Sequence, residues 1–195
     1  MDENLEQTLK DFQEVFGTYS ALSNGPPGSS LEYTALIRGY NLFPHFPKFW
    51  PIIKNFPVRE DDIFIATFPK SGTTWLQLIV YLLMSEDFES IKTTPIDYSV
   101  PFLEMPRPIT EETLNKLSNR PGPRIMKTHL PVCLLPSQVG KGRIVFCYRN
   151  AKDVVVSLYH HCQALSQCGL QLTFDEFARK FMEGKGINLK WRWLL

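Results

Sequence analysis

The stretch TFPKSGTTWL at residues 67–76 combines residue types that bind anions. It separates two apolar runs, IFIATF and WLQLIVYLLM, which predict a buried strand and a helix. The first turn of a helix presents unpaired N–H groups and the positive end of a dipole. Gly72 allows close backbone approach, while Lys70, Thr73 and Thr74 add a charge and hydroxyl donors. The stretch therefore predicts an anion cradle, with a polar loop that binds nothing as the alternative.

The elements that must position this loop alternate between strand and helix. Such alternation predicts an α/β fold with a parallel sheet flanked by helices. Open sheets of this kind bind ligands beyond the carboxyl ends of their strands, which is where Pro69 to Thr74 fall. Strands are expected at 63–68, 124–130 and 143–149, the last a buried strand that contains Cys147 as a buried thiol. Helices are expected at 73–84, from an N-cap at Thr110, over 151–165, and after an N-cap at Thr173 with Glu176 in a capping box.

The N-terminal part reads differently. Leucine and phenylalanine at helical spacing predict an amphipathic helix over residues 3–17, and SNGPPGSS at 23–30 predicts a flexible break. The proline- and aromatic-rich part that follows predicts a covering segment with a short helix near Trp50 to Lys54. We therefore expect a helix and flexible segment in residues 1–30, and one α/β domain over residues 31–195 with an atypical tail from about residue 185.

Composition limits the partners and the compartment. The 195 residues carry a net charge of +1, which argues against binding to nucleic acid or to an anionic membrane surface. The longest apolar run is shorter than the about 20 residues that a membrane span needs, and the acidic N-terminus lacks a signal sequence. The four cysteines show neither a CxxC pair nor zinc spacing. A cytoplasmic protein without a metal site is expected.

Three segments resemble the cytosolic sulfotransferase family. TFPKSGTTW is similar to the family's phosphosulfate-binding loop, KTHLP at 127–131 to its catalytic-histidine segment, and YRNAKDVVVSLYHH at 148–161 to its 3′-phosphate segment. The three occur in the family's order, and similarity extends over roughly residues 40–183. A P-loop kinase of another lineage is disfavoured, because Lys70 precedes Gly72 and the other two segments have no counterpart in the G-x-x-x-x-G-K-[ST] pattern. The resemblance implies the P-loop-like sulfotransferase fold.

The resemblance also implies roles for individual residues. The positions that match the loop binding 3′-phosphoadenosine 5′-phosphosulfate (PAPS), including the aromatic that stacks on adenine, are Lys70, Ser71, Gly72, Thr73, Thr74 and Trp75. Arg149 and Ser157 match the pair that holds the 3′-phosphate, Lys127 and His129 match the catalytic lysine and histidine, and Phe102 matches an acceptor-pocket aromatic. Taken singly, Trp75 would more often be a core residue and His129 a structural histidine. Arg149 could equally be a solvated or ion-paired strand cap, and Lys127 an ordinary surface lysine.

The implied activity is transfer of a sulfuryl group from PAPS to a hydroxyl or amine of a small acceptor. His129 would remove the acceptor proton, while Lys70 and Lys127 would stabilise charge on the transferring group and the leaving phosphate. The aromatic-rich segment from Phe43 to Phe56, together with Phe102, suits an apolar acceptor such as a phenol or a sterol. Lys127 and His129 would also contact that acceptor. No metal is required.

The resemblance stops after Gly184, where the chain reads KGINLKWRWLL. The family's Tyr-Gly-Ser-Trp stretch, its downstream strand, its Arg-Lys-Gly segment and its dimer segment are not seen. We therefore expect a fold that is incomplete at the C-terminus, as in a truncated or splice-altered member, and a poor enzyme. The alternative is a non-catalytic relative with weak or no nucleotide binding.

Overall fold

A computed structural model describes residues 20–22, 34–37, 40–42, 46–104, 110–164 and 172–183. The chain divides into two compact units, one formed by Met1–Lys48 with Asn150–Leu195 and the other by Phe49–Arg149. The helix expected over 3–17, the break at 23–30 and the tail from about residue 185 lie outside the described residues. The expected division into 1–30 and 31–195 stays a prediction.

Six strands and seven helices are described, with two short 3₁₀ turns at Val132–Leu134 and Val139–Lys141. The strands are β1 (Ser20–Leu22), β2 (Thr34–Ile37), β3 (Tyr40–Leu42), β4 (Ile63–Thr67), β5 (Ile125–Thr128) and β6 (Arg143–Cys147). The helices are α1 (Phe46–Lys54), α2 (Thr73–Ser85), α3 (Ser90–Thr93), α4 (Ile96–Ser99), α5 (Glu111–Ser118), α6 (Ala151–Ala164) and α7 (Phe174–Met182).

A parallel sheet of three strands organises the unit Phe49–Arg149. Its strand order is β5-β4-β6, and both pairings are parallel, with Ile65 opposite Lys127 and Thr67 opposite Cys147. This confirms the expected α/β class. Because parallel strands end at the same edge of a sheet, the residues after Thr67, Thr128 and Cys147 are brought to one edge.

The central strand β4 carries the core of this unit. All five of its residues are buried, and Ile63 and Ile65 pack with Val80 of α2 and Ile125 of β5. A continuous apolar strand is what burial on both faces of a parallel sheet requires. Just before the strand, buried Asp62 accepts from Arg124 Nε at 2.6 Å, so the entry to β4 is fixed by a buried ion pair.

The expectation that β6 is a buried strand is wrong. Ile144 is 42% exposed and Phe146 is 53% exposed, while Cys147 is half-buried rather than buried. Among the described strands β6 pairs with β4 alone, so it forms an edge of this sheet. Apolar composition predicts the strand but does not distinguish a central strand from an edge strand.

The helix ends follow the sequence closely. Thr110 caps α5 by accepting from the Thr113 N–H at 3.1 Å, and Thr173 and Glu176 form the expected capping box at α7. The helix expected near Trp50 to Lys54 is longer and begins at Phe46. Pro47 is tolerated because it falls in the first turn, where N–H groups have no partner within the helix.

The other unit contains a sheet that was not expected. Strands β1, β2 and β3 form an antiparallel sheet in that order, with Ala21 opposite Ala35 and Ala35 opposite Leu42. In the same unit α6 and α7 pack together, since the Tyr159 ring lies 5.3 Å from the ring of Phe174 and 5.5 Å from that of Phe177. Burial of this kind holds α6 despite its valines, which are poor helix formers.

Candidate active site

The loop between β4 and α2 is shaped by two residues in the left-handed backbone region. Lys70 has a φ of 68° and Gly72 a φ of 105°. Gly72 forms the N-cap of α2 without a side-chain cap, so the helix N–H groups are not covered by a capping side chain. Gly72 is required here by its backbone angle. A left-handed lysine is strained, and such strain concentrates at functional sites.

Ser71 supplies an independent sign that the loop suits an anion. Its side chain is only 4% exposed, and within the described ranges its hydroxyl has no hydrogen-bond partner. A buried hydroxyl without a partner is costly, so such groups call for an explanation. A phosphate oxygen would accept from this hydroxyl as well as from the N–H groups of the helix start. The residues present therefore fit the phosphosulfate that the resemblance implies.

Thr67 and Thr73 connect the two ends of the loop. Thr67 ends β4, Thr73 begins α2, and their hydroxyl oxygens lie 2.7 Å apart. The Thr73 hydroxyl therefore already bonds to the protein, while Thr74 is exposed. Thr67 was not among the expected site residues, because a threonine that ends an apolar strand carries no local signal of such a role.

Trp75 projects from the first turn of α2. Its side chain is 79% exposed. The alternative that Trp75 is a core residue is therefore wrong, and an exposed aromatic face beside the loop is available for stacking. Its implied contact with adenine stays a prediction.

The ring of His129 is oriented by the end of β4. His129 Nδ1 lies 2.7 Å from the backbone oxygen of Thr67, to which it donates. This bond places the proton on Nδ1 and leaves Nε2 as the acceptor in the neutral ring. Burial, reinforced by the charge of Lys127 and opposed by the bond to Thr67, lowers the pKa of His129 to about 4. The imidazole is therefore neutral near pH 7 and can accept a proton at Nε2.

Phe102 and Lys127 lie beside this ring. The Phe102 ring meets the His129 ring edge-on, with the ring centroids 5.0 Å apart, and Lys127 Nζ lies 4.9 Å from the Phe102 centroid. Phe102 also forms an isolated parallel bridge with Lys127. His129, Lys127 and Phe102 are thus brought together at the end of β5.

Asp97 holds the ammonium group of Lys127, a contact that the sequence did not reveal. Lys127 Nζ lies 2.7 Å from Asp97 Oδ1, and the same oxygen accepts from the buried Gln77 Nε2 at 3.1 Å. Gln77 also donates to the Val100 backbone oxygen at 3.1 Å. The cation is therefore paired, and any role in charge stabilisation requires Lys127 to exchange or share this partner.

Glu104 is another site residue that the sequence did not reveal. Its carboxylate accepts from the His129 backbone N–H at 2.5 Å and from the Thr128 hydroxyl at 2.8 Å. Burial raises the pKa of Glu104 to about 7 despite these hydrogen bonds and the charge of Lys127. The only local signal is a carboxylate that directly follows the apolar run VPFL. Glu104 fixes the turn by which the chain leaves β5 at His129.

Arg149 follows β6 and is exposed, with Nη1 lying 3.4 Å from the backbone oxygen of Lys70. This contact places its guanidinium beside the anion loop. Ser157 lies half-buried on α6, in the other compact unit. The expected pairing of Arg149 with Ser157 on one phosphate stays a prediction.

In the described ranges no cluster of three or more His, Cys, Asp and Glu side chains could hold a metal ion. None of the described helices has the length and apolarity that a membrane crossing requires.

Comparison with known proteins gives one family. The family described as "Sulfotransferase domain" matches residues 60–193. Among curated proteins, Sulfotransferase 1 family member D1 of Mus musculus is 43% identical over 152 residues, which cover 76% of this chain and 52% of that protein. The chain spans about half the length of the curated relatives it matches.

Solved structures agree with the fold. A putative steroid sulphotransferase of Arabidopsis thaliana matches with a TM-score of 0.67 at 26% identity, covering 97% of this chain and 65% of that one. Mouse sulfotransferase SULT7A1, crystallised with the nucleotide PAP, matches with a TM-score of 0.58 at 27% identity, covering 74% and 49% of the two chains.

Proposed function

We propose that this chain, which belongs to the sulfotransferase family, transfers a sulfuryl group from PAPS to a hydroxyl or amine of a small acceptor. The observation that carries this proposal is the orientation of His129. Its Nδ1–H is committed to the Thr67 backbone oxygen at 2.7 Å, so the opposite nitrogen is left to accept a proton beside Phe102. A neutral, oriented imidazole is what a general base requires.

The loop after β4 would hold the donor. Ser71 and Thr74 would donate hydroxyl hydrogen bonds, the N–H groups at the start of α2 would face the phosphate oxygens, and Lys70 would add positive charge. Trp75 offers an exposed ring for the adenine, and Arg149 with Ser157 would hold the 3′-phosphate. When bound, PAPS supplies the activated sulfuryl group.

His129 would remove the acceptor's proton at Nε2 while the acceptor oxygen or nitrogen forms its bond to sulfur. The bond between sulfur and the phosphate oxygen breaks in the same transfer, and the charge left on that oxygen needs a cation nearby. Lys70 and Lys127 are the candidate cations. Lys127 donates one of its three ammonium N–H groups to Asp97 at 2.7 Å, so contact with the transferring group would use the other two or replace this bond.

The acceptor class is proposed from the side chains around His129. Phe102 presents an aromatic edge to the base, which supports a phenol or another small apolar acceptor such as a sterol or an amine. The aromatic segment before β4 contributes less than expected, because Phe46, Trp50 and Phe56 are each at most 3% exposed and serve the core. Phe43 lies outside the described residues. A cytosolic location is part of this proposal and rests on the family resemblance.

Two measurements on the 195-residue chain test the proposal. The thermal midpoint with and without the desulfated nucleotide PAP reports donor binding, since a ligand that binds only the folded chain stabilises it. Transfer of labelled sulfate from PAPS to a panel of phenols, sterols and amines reports activity. Binding with transfer supports the proposal. Binding without transfer favours a non-catalytic relative, and the absence of both overturns the proposal.

A further inference from the structure

Thr67 contacts both the anion loop and the candidate base. Its backbone oxygen accepts from His129 Nδ1 at 2.7 Å. Its hydroxyl oxygen lies 2.7 Å from the Thr73 hydroxyl oxygen and 3.3 Å from His129 Nδ1. The residue is fully buried, so bulk water does not compete for these bonds. One buried side chain thus bridges the first residue of α2 and the imidazole.

The direction of the bond between the two hydroxyls depends on what Thr73 binds. A hydroxyl has one proton to donate and two lone pairs to accept with. When the Thr73 hydroxyl donates to an anion in the loop, its oxygen can only accept from Thr67. The Thr67 proton then points to Thr73, and the lone pairs of the Thr67 oxygen can face the Nδ1–H of His129. A second acceptor near Nδ1–H makes the opposite ring nitrogen a stronger proton acceptor.

We propose that Thr67 is a positioning residue that couples occupation of the anion loop to the proton-accepting strength of His129. The proposal rests on the proposed function, because the nucleotide is the anion that would set the bond direction. Thr67 acts through Thr73 on one side and through the imidazole on the other, and it contacts no reacting atom. The hydroxyl pair makes the base stronger when the donor is in place.

Other charges near His129 must be separated from this effect. Lys127 lowers the pKa of His129 by its charge, and Glu104 accepts from the His129 backbone N–H. A bound anion would also raise the pKa of His129 directly, by attraction to the imidazolium. Thr67→Val isolates the hydroxyl, because valine has nearly the shape of threonine and the variant keeps the backbone oxygen that orients the ring.

The experiment is a pH titration of the whole chain labelled with ¹⁵N-histidine, with and without saturating PAP. The His129 signals are identified by their loss in His129→Gln. In the wild type the pKa of His129 should rise when PAP binds. Without PAP the Thr67 oxygen can face Nδ1–H, at 3.3 Å, whenever the Thr67 proton points to Thr73, so the pKa of His129 should be lower in Thr67→Val even in the free chain. The rise of this pKa with PAP should also be smaller in Thr67→Val, while the Nδ1–H tautomer persists. Thr67→Ser should restore both values. Where turnover is measurable, kcat should fall about 3- to 10-fold with little change in the KM for PAPS.

Thr113→Val is the matched control, because Thr110 and Thr113 form a second pair of hydroxyls, 3.0 Å apart, at the start of α5. It should leave the titration of His129 unchanged. The proposal would be overturned if His129 in Thr67→Val had the wild-type pKa both without PAP and with PAP. If Thr67→Val does not fold, Thr73→Val removes the same bond between the two hydroxyls. The proposal is then overturned if PAP raises the pKa of His129 in Thr73→Val as much as in the wild type.

The proposed function and this inference fail in different ways. If PAP does not shift the thermal midpoint, the proposed function is wrong. The free-chain titration still decides whether Thr67 acts on His129, since an unchanged pKa in Thr67→Val then overturns the positioning role. If PAP binds and the variants titrate as the wild type does, only the inference is lost.

Discussion

A candidate site residue follows each of the strands β5 and β6 of the parallel sheet, and the protein holds these two residues differently. At the end of β5, His129 bonds to Thr67 through its ring and to Glu104 through its backbone, with Phe102 against the ring. At the end of β6, Arg149 is exposed and follows Tyr148, which is 74% exposed. His129 is surrounded by protein contacts, whereas Arg149 is exposed and its Nη1 lies 3.4 Å from the Lys70 backbone oxygen.

The difference matches what the two proposed roles, general base and phosphate ligand, would need. A general base works only if one ring nitrogen is held toward the reacting group, so its orientation must be set before the substrate arrives. A guanidinium that binds phosphate carries several donors and can be oriented by the phosphate itself. Substitutions at the end of β5 should therefore affect turnover, and those at the loop and at the end of β6 should affect nucleotide affinity.

The largest effect is expected for His129→Ala. Loss of a general base lowers turnover by about 10²- to 10⁴-fold, and nucleotide affinity should change little because His129 is proposed to contact only the acceptor. Single-turnover sulfate transfer and PAP binding measure the two quantities. His160→Ala, at an exposed histidine of α6, is the control. A His129→Ala chain that keeps most of its transfer would return His129 to a structural role.

Lys70→Met should lower nucleotide affinity rather than turnover. Removing a charge-assisted contact to the phosphosulfate costs about 1.5–3 kcal/mol, which corresponds to roughly a 10- to 150-fold loss of affinity for PAP. Calorimetric titration measures it. Lys92→Met is a matched control, since Lys92 is an exposed lysine of α3 paired with Glu89. Equal PAP affinity in the Lys70 variant and the wild type would contradict the anion-loop assignment.

Arg149→Ala should have a smaller and more selective effect. Because Arg149 is exposed, its contact with a phosphate is screened by solvent, and about a tenfold loss is expected. The loss should appear for PAP and not for adenosine 5′-phosphate, which lacks the 3′-phosphate. Arg143→Ala, at an exposed arginine that begins β6, is the control. An equal loss of affinity for both nucleotides would mean that Arg149 supports the loop through its contact with Lys70 and does not bind the 3′-phosphate.

The elements and helix caps that depend on neighbouring residues could be predicted from the sequence, whereas contacts between residues far apart along the chain could not. Patterns within ten residues predicted the strands β4, β5 and β6, the helix α2 and the caps at Thr110 and Thr173. The partners that orient the site are far apart in sequence. Thr67 and His129 are separated by 62 positions, and Glu104 and His129 by 25. No local sequence pattern identifies the partner of a buried carboxylate or of a threonine that ends a strand. The exposure of β6 was missed for the same reason, since it depends on which strands lie beside it.

The smallest net effect is expected for the stability of the wild type against pH, because two groups at the end of β5 oppose each other. Glu104 has a pKa of about 7 in the folded chain against 4.5 ordinarily, so between these values the folded state keeps a proton that the unfolded state has lost. Its contribution to stability therefore falls as pH rises through this range. His129 has a pKa of about 4 against 6.5, so the unfolded state binds the extra proton, and the contribution of His129 rises with pH.

Between about pH 4.5 and 6.5, the contributions of Glu104 and His129 to the free energy of unfolding change with pH in opposite directions. Each contribution changes by at most about 1.4 kcal/mol per pH unit. The wild type should show near cancellation of these two contributions. Glu104→Gln removes the falling contribution, so its free energy of unfolding should rise with pH more steeply than that of the wild type. His129→Gln should show the reverse, and the double variant should return toward the wild-type slope. Urea unfolding at several pH values measures this, with Glu60→Gln as an exposed control. Parallel curves for the wild type and Glu104→Gln would mean that Glu104 keeps its ordinary pKa in the folded chain, and that hydrogen bonds rather than burial decide its charge.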